Sequence, residues 1–164
     1  MATNIRFSLL LLGSNVDADR NLEAGFRMLS EQFTIGSKSP IYQSPPVGAP
    51  GTSDFLNQTV IIDDPPTYEQ LRDQLRSIEA LLGRKRSEDL NHPRTIDIDI
   101  LALADKDLRI LNDWPIDEAL ETFHHAAIPA SLIAPDWRFP HSGKTIEETV
   151  RSLGPAPEGF LAVR

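Results

Sequence analysis

The chain has 164 residues, 40% of them hydrophobic and 24% charged, which fits one soluble globular unit with a proper core. Its formal net charge of −8 argues against a general nucleic-acid or anionic-membrane binder, since both need a positive surface. Cysteine is absent, which excludes disulfides and thiolate metal sites, and no apolar run nears the ~20 residues of a membrane helix.

Residues 5–12 read as a buried strand ending at Gly13-Ser14-Asn15, a turn signal. A helix follows, because Leu22, Phe26, Leu29 and Phe33 recur at helical spacing. Residues 34–43 form a loosely patterned extended segment. Pro45, Pro46, Gly48, Pro50 and Gly51 then force an irregular loop, because proline lacks the N–H a ladder requires. Residues 55–62 alternate as a strand, which Pro65-Pro66 stops. Thr67 with Gln70 is a capping-box signature, and Leu71, Leu75, Ile78 and Leu82 mark one face of the helix it opens.

Residues 96–103 read as a strand, and Asp105-Lys106-Asp107 as a turn into a short strand over 108–111. A short helix is expected within 113–125, and Thr145 with Glu148 caps a last helix reaching about Leu153. This order matches the α+β, ferredoxin-like βαββαβ arrangement, an antiparallel sheet with helices on one face. No repeat or linker divides residues 1–164, so a single domain is expected. The opening residues lack the charged-then-apolar layout of a secretion signal, and a cytoplasmic location is the expectation.

Three groups of residues carry chemistry. Asp97 and Asp99 alternate with Ile96, Ile98 and Ile100, so on a strand both carboxylates share the face opposite the isoleucines. Their Cα atoms would lie roughly 6.5–7 Å apart, close enough to share hard cations such as Mg²⁺. Taken alone, such a pair is more often the solvated acidic face of an amphipathic strand, and context must decide.

Just upstream, Arg84, Lys85, Arg86 and Arg94 concentrate positive charge, and guanidinium forks match phosphate oxygens. A cationic helix C-terminus would account for Arg84 and Lys85, though not for Arg94. On the strand at 55–62, Phe55 and Asn57 share one face, an aromatic to stack on a flat heterocycle and an amide to read its edge. Core and edge packing would also explain both. Ser142-Gly143-Lys144-Thr145 imitates the end of a P-loop, but Arg138 stands where the motif needs glycine.

Jointly these residues resemble the 6-hydroxymethyl-7,8-dihydropterin pyrophosphokinase family. The matching pieces are Leu12-Gly13-Ser14-Asn15, Asp19-Arg20-Asn21-Leu22, Tyr42 through Gly48, Asp54-Phe55-Leu56-Asn57, Ile78 through Arg84, Pro93 through Ile100, and Ile133 through Trp137. The resemblance implies a single pyrophosphokinase-like domain that transfers diphosphate from ATP to the pterin in folate biosynthesis, giving AMP, with two Mg²⁺ ions and with these small molecules, not nucleic acid or membrane, as its partners. It implies Asp97 and Asp99 as metal ligands, with Glu79, Arg84, Arg86 and Arg94 on the ATP side. Of these, Arg84 and Arg94 would be catalytic. Ser44, Pro45, Val47, Phe55, Asn57 and His125 would line the pterin pocket. A monomer is the expectation.

Some positions depart from the family pattern. His92 replaces a usual glycine and Asn91 an aromatic, while the segment from Trp114 to Phe123 lacks the family's His and Arg. Lys106, Arg109 or Arg138 could substitute for those cations. The alternative reading is a catalytically weak or inactive homologue that binds nucleotide or pterin.

Overall fold

β1 (Phe7–Ser14) is buried at every position after Phe7, and this sets the architecture. A strand covered on both faces reads as a continuous apolar run, and each face needs its own layer. The computed structural model describes residues 4–45, 54–83 and 96–163; Val47, Arg84, Arg86 and Arg94 lie outside the described residues.

α1 (Ala18–Gln32) follows β1, and β2 (Thr34–Lys38) and β3 (Tyr42–Ser44) divide the segment expected to be merely extended. Both pair antiparallel with β4 (Phe55–Asp63), β2 along its C-terminal half and β3 along its N-terminal end. Ser39 bridges the break: its N–H donates to the Thr59 carbonyl, and its hydroxyl accepts from the Thr59 N–H. After α2 (Tyr68–Leu81), β5 (Asp97–Ala104) pairs with the other side of β1. The C-terminal third adds α3 (Ala119–Thr122), α4 (His124–Ile133), α5 (Ile146–Leu153) and β6 (Leu161–Ala162), and β6 pairs with β3. The strand order is β5-β1-β4-β3-β6, with β2 also on β4.

Leu10 and Leu12 of β1 pack with Val60, Ile62, Ile96 and Ile98 beneath Leu22 and Leu29 of α1 and Leu71, Leu75 and Ile78 of α2. Leu9 and Leu11 face the opposite way, against Ile61, Leu101, Ala126, Ala130, Trp137 and Phe139. The expectation of helices on one face therefore holds for α1 and α2 only. The leucines on the other side of β1 require a second layer, which the C-terminal helices supply. The expected short strand at 108–111 is reduced to single bridges, Ala104 with Ile110 and Arg109 with Arg138. Leu108 stands at a φ of 64°, in the left-handed region, which a strand cannot continue through.

Both expected capping boxes form: Thr67 with Gln70 opens α2 and Thr145 with Glu148 opens α5. Thr145→Ala removes one side of the second box, and a loss of ~1 kcal/mol in stability is expected from urea unfolding. None of the described helices is long and apolar enough to cross a membrane.

Candidate active site

The register places the sequence candidates in rows across one face of the sheet. Asp97 stands opposite Gly13, Gly13 opposite Asn57, and Asn57 opposite Tyr42. Directly paired residues of antiparallel strands point to the same side, so these four share a face. Asp99, opposite Leu11, and Phe55, opposite Ser44, lie on that face too. With strands ~4.8 Å apart, Asp97 and Asn57 are roughly 10 Å apart across the intervening glycine.

β5 earns this position by being an edge strand. Its Ile98 N–H points away from β1 and donates to Glu79 Oε2 of α2 at 2.8 Å, in a buried setting. Glu79, 3% exposed, thus pins the backbone between the two aspartates. A bulge follows: Leu9 pairs with Ala102 but Leu10 with Ile100, leaving Leu101 as the extra residue. Beyond it the alternation is reset, so Ala102 and Ala104 join Leu101 under the C-terminal helices. Asp97 is half-buried and Asp99 exposed.

Along this edge runs a cleft of about 510 Å³. Glu79, Asp97, Asp99 and Asp117 give it acidic walls, while Tyr68, Arg72 and Arg76 of α2 line it as well. The segment carrying Asp117 is fastened to β5 by its N–H, which donates to the Leu101 carbonyl. Among the described residues, no group of three His, Asp or Glu side chains is gathered to hold a metal by itself. Two carboxylates beside an open cleft suit Mg²⁺, which commonly takes one or two protein carboxylates and completes its shell with water and phosphate oxygens.

On the other side of Gly13, Asn57 is buried and its Nδ2 donates to Ser44 Oγ at 2.7 Å. A Cβ on Gly13 would come within 3.2 Å of Asn57 Oδ1 and 3.8 Å of a Phe55 ring carbon. The amide oxygen therefore faces the strip of bare backbone that separates it from the aspartates. Glycine at this buried position spares the Asn57 amide oxygen the close contact that a Cβ would make.

Residues 9–142 match the model of the 7,8-dihydro-6-hydroxymethylpterin-pyrophosphokinase family. The chain belongs to this family. It is 31% identical, over 88% of its length and 92% of the relative's, to the 2-amino-4-hydroxy-6-hydroxymethyldihydropteridine pyrophosphokinase of Methylorubrum extorquens. The corresponding Pseudomonas aeruginosa protein is 32% identical over 79% of this chain and 81% of the relative. In fold, this chain resembles a solved HPPK-DHPS chain of Plasmodium falciparum with a TM-score of 0.70 at 14% identity. That match covers 90% of this chain but only 45% of the fused one.

Within this pyrophosphokinase fold, Glu79, Asp97 and Asp99 meet at the cleft, while Ser44, Phe55 and Asn57 form a neighbouring group. Pro45 continues directly from β3. The suggested stand-ins for the missing cations do not reach the cleft. Arg109 is paired with Asp105 and Asp107, Lys106 lies beside it in a separate depression, and Arg138 donates to the Gly143 carbonyl. Arg72 and Arg76, which the sequence reading passed over, line the cleft instead. With Glu79 they make a stripe at helical spacing on α2, which only the facing wall of β5 distinguishes from a solvated helix face.

His125 occupies the first turn of α4, its ring stacked on Phe123 with centroids 5.4 Å apart and planes 19° from parallel. Burial pushes its pKa below the ordinary 6.5, Asp117 opposes the shift, and His124 reinforces it. The folded state therefore favours neutral imidazole, and the unfolded chain takes up the proton first as pH falls. Stability from this group is complete above about pH 6.5 and declines below it toward the depressed folded value. His125→Phe should flatten that limb of a stability–pH curve followed by urea unfolding.

Proposed function

We propose that this chain transfers the diphosphate of ATP to the hydroxymethyl group of 6-hydroxymethyl-7,8-dihydropterin, releasing AMP, as a step of folate biosynthesis. The observation that carries the reading is the row Asp97–Gly13–Asn57. It supports the reading because Asp97 and Asp99 share a face of the sheet with Asn57, with only Gly13 between Asp97 and Asn57.

Asp97 and Asp99 are the residues that would hold Mg²⁺, two ions by family resemblance. Mg²⁺ bound there would neutralise charge on the phosphate oxygens. Arg72 and Arg76 offer the cleft positive charge for the nucleotide, joined by Arg84, Arg86 and Arg94 from the family pattern. Asn57 spends an N–H on Ser44, so its Oδ1 remains to accept from the amino and ring N–H groups of a pterin. Phe55 and His125 supply ring faces for stacking, with Ser44 and Pro45 at the margin; the family pattern adds Val47. The pterin hydroxyl oxygen then bonds to the β-phosphorus as the bond to the α-phosphate oxygen breaks, and the hydroxyl proton is released. The protein contributes mainly position and charge.

The test is to incubate the protein with ATP, Mg²⁺ and hydroxymethyl-dihydropterin and to follow AMP. AMP that appears only with both Mg²⁺ and the pterin is the expected result. Binding of both substrates without AMP would replace this reading with that of a non-transferring homologue.

A further inference from the structure

The C-terminal tail runs past the outer side of the acceptor region. β6 adds to β3 through two paired positions, Tyr42 with Ala162 and Gln43 with Leu161, and the Val163 N–H donates to the Ile41 carbonyl. From 154 to 163 every residue is exposed except Phe160. Its ring stacks on Tyr42 with centroids 5.0 Å apart and planes 16° from parallel. So short a ladder has little stability of its own, and the Phe160–Tyr42 stack adds a side-chain contact between the tail and β3.

The contact is also placed where it matters. Tyr42 stands opposite Asn57, and Ser44, two residues on, hydrogen-bonds the Asn57 amide. Just before Phe160, Gly159 adopts a φ of 89°, and a Cβ on it would come within 3.2 Å of Pro45 Cγ. The tail thus touches β3 at Tyr42 and again at the proline that follows Ser44.

We propose that Phe160 is a positioning residue for acceptor binding: stacked on Tyr42, it fixes β3 and so holds Ser44, Pro45 and Asn57 in place as the outer wall of the acceptor pocket. The proposal rests on the function put forward above. A tail that merely covered the sheet edge would affect stability and both substrates alike. A positioning tail acts on one of them.

Steady-state kinetics of the full chain distinguish these. Phe160→Ala and Phe160→Leu should raise KM for the pterin roughly 3- to 10-fold, the scale of a lost aromatic pair, with KM for ATP and kcat held within about twofold. Phe160→Tyr should restore the wild-type value. If Phe160→Ala unfolds, Phe160→Leu and Gly159→Ala, which presses on Pro45, carry the test. An unchanged pterin KM in folded variants, or a parallel change for both substrates, would overturn the proposal. A wild-type protein making no AMP would overturn the proposed function and this wall with it, an outcome distinguishable from an active wild type with indifferent Phe160 variants.

Discussion

Asp97→Ala should yield a folded protein whose AMP formation is slower by at least roughly 10²–10³-fold, the scale seen when a group stabilising transition-state charge is removed. Asp97 is half-buried at the edge strand, outside both hydrophobic clusters, so its loss leaves the core intact. The effect should fall on kcat rather than on the pterin KM, because Asn57, Phe55 and Ser44 lie across Gly13 from it. Asp99→Ala should behave similarly, and the double variant should cost less than the product of the two, since under the proposed function both would serve one metal-binding unit. A thermal melt recorded beside each assay separates lost chemistry from lost folding. Turnover near the wild-type level in Asp97→Ala would mean the carboxylate has no part in the reaction.

Glu79→Ala should lower stability by about 1–3 kcal/mol, the cost of leaving a buried N–H without its acceptor. For a chain of this size that corresponds to a few degrees in Tm, at roughly 2–4 °C per kcal/mol. The group at stake is the Ile98 N–H, between the two aspartates, so activity should fall as well. Glu79→Gln retains an oxygen at the same reach and should lose markedly less stability. Urea unfolding of the two variants makes the comparison. Equal losses would show that this hydrogen bond is not what Glu79 contributes.

Much of this was legible in the sequence where the governing physics is local. Alternation fixes Asp97 and Asp99 on a common face whatever the fold, and the caps at Thr67 and Thr145 need only four consecutive residues. Phe55 and Asn57 followed from the same period of two. What escaped depends on partners distant in the chain. The division between β2 and β3 is made by Ser39 bonding to Thr59, twenty residues away. β6 is two residues long and exists because β3 offers an edge.

α4 shows a different difficulty. It is rich in alanine, contains Pro129, and buries Ala126, Ala127, Pro129 and Ala130 rather than a narrow stripe, so it carries no clean helical period. Pro129 gives up the helical bond to the His125 carbonyl, a further reason for a pattern-based reading to stop short. The alignment of aspartate, glycine and asparagine is pure strand register, set by the packing of β1 between β5 and β4. No local spacing contains it. Arg72 and Arg76 were missed because exposed arginines on a helix look like ordinary solvated charge until a facing wall is known.

In the proposed reaction, the aspartate pair and the asparagine serve the two reacting ends of one substrate pair. A crystal structure with Mg²⁺, a non-hydrolysable ATP analogue and the pterin tests this most directly. It should show metal between Asp97 and Asp99, phosphates across Gly13, and the pterin edge on Asn57 Oδ1. Metal and phosphates bound away from β5, or a pterin seated on the other face of the sheet, would contradict it.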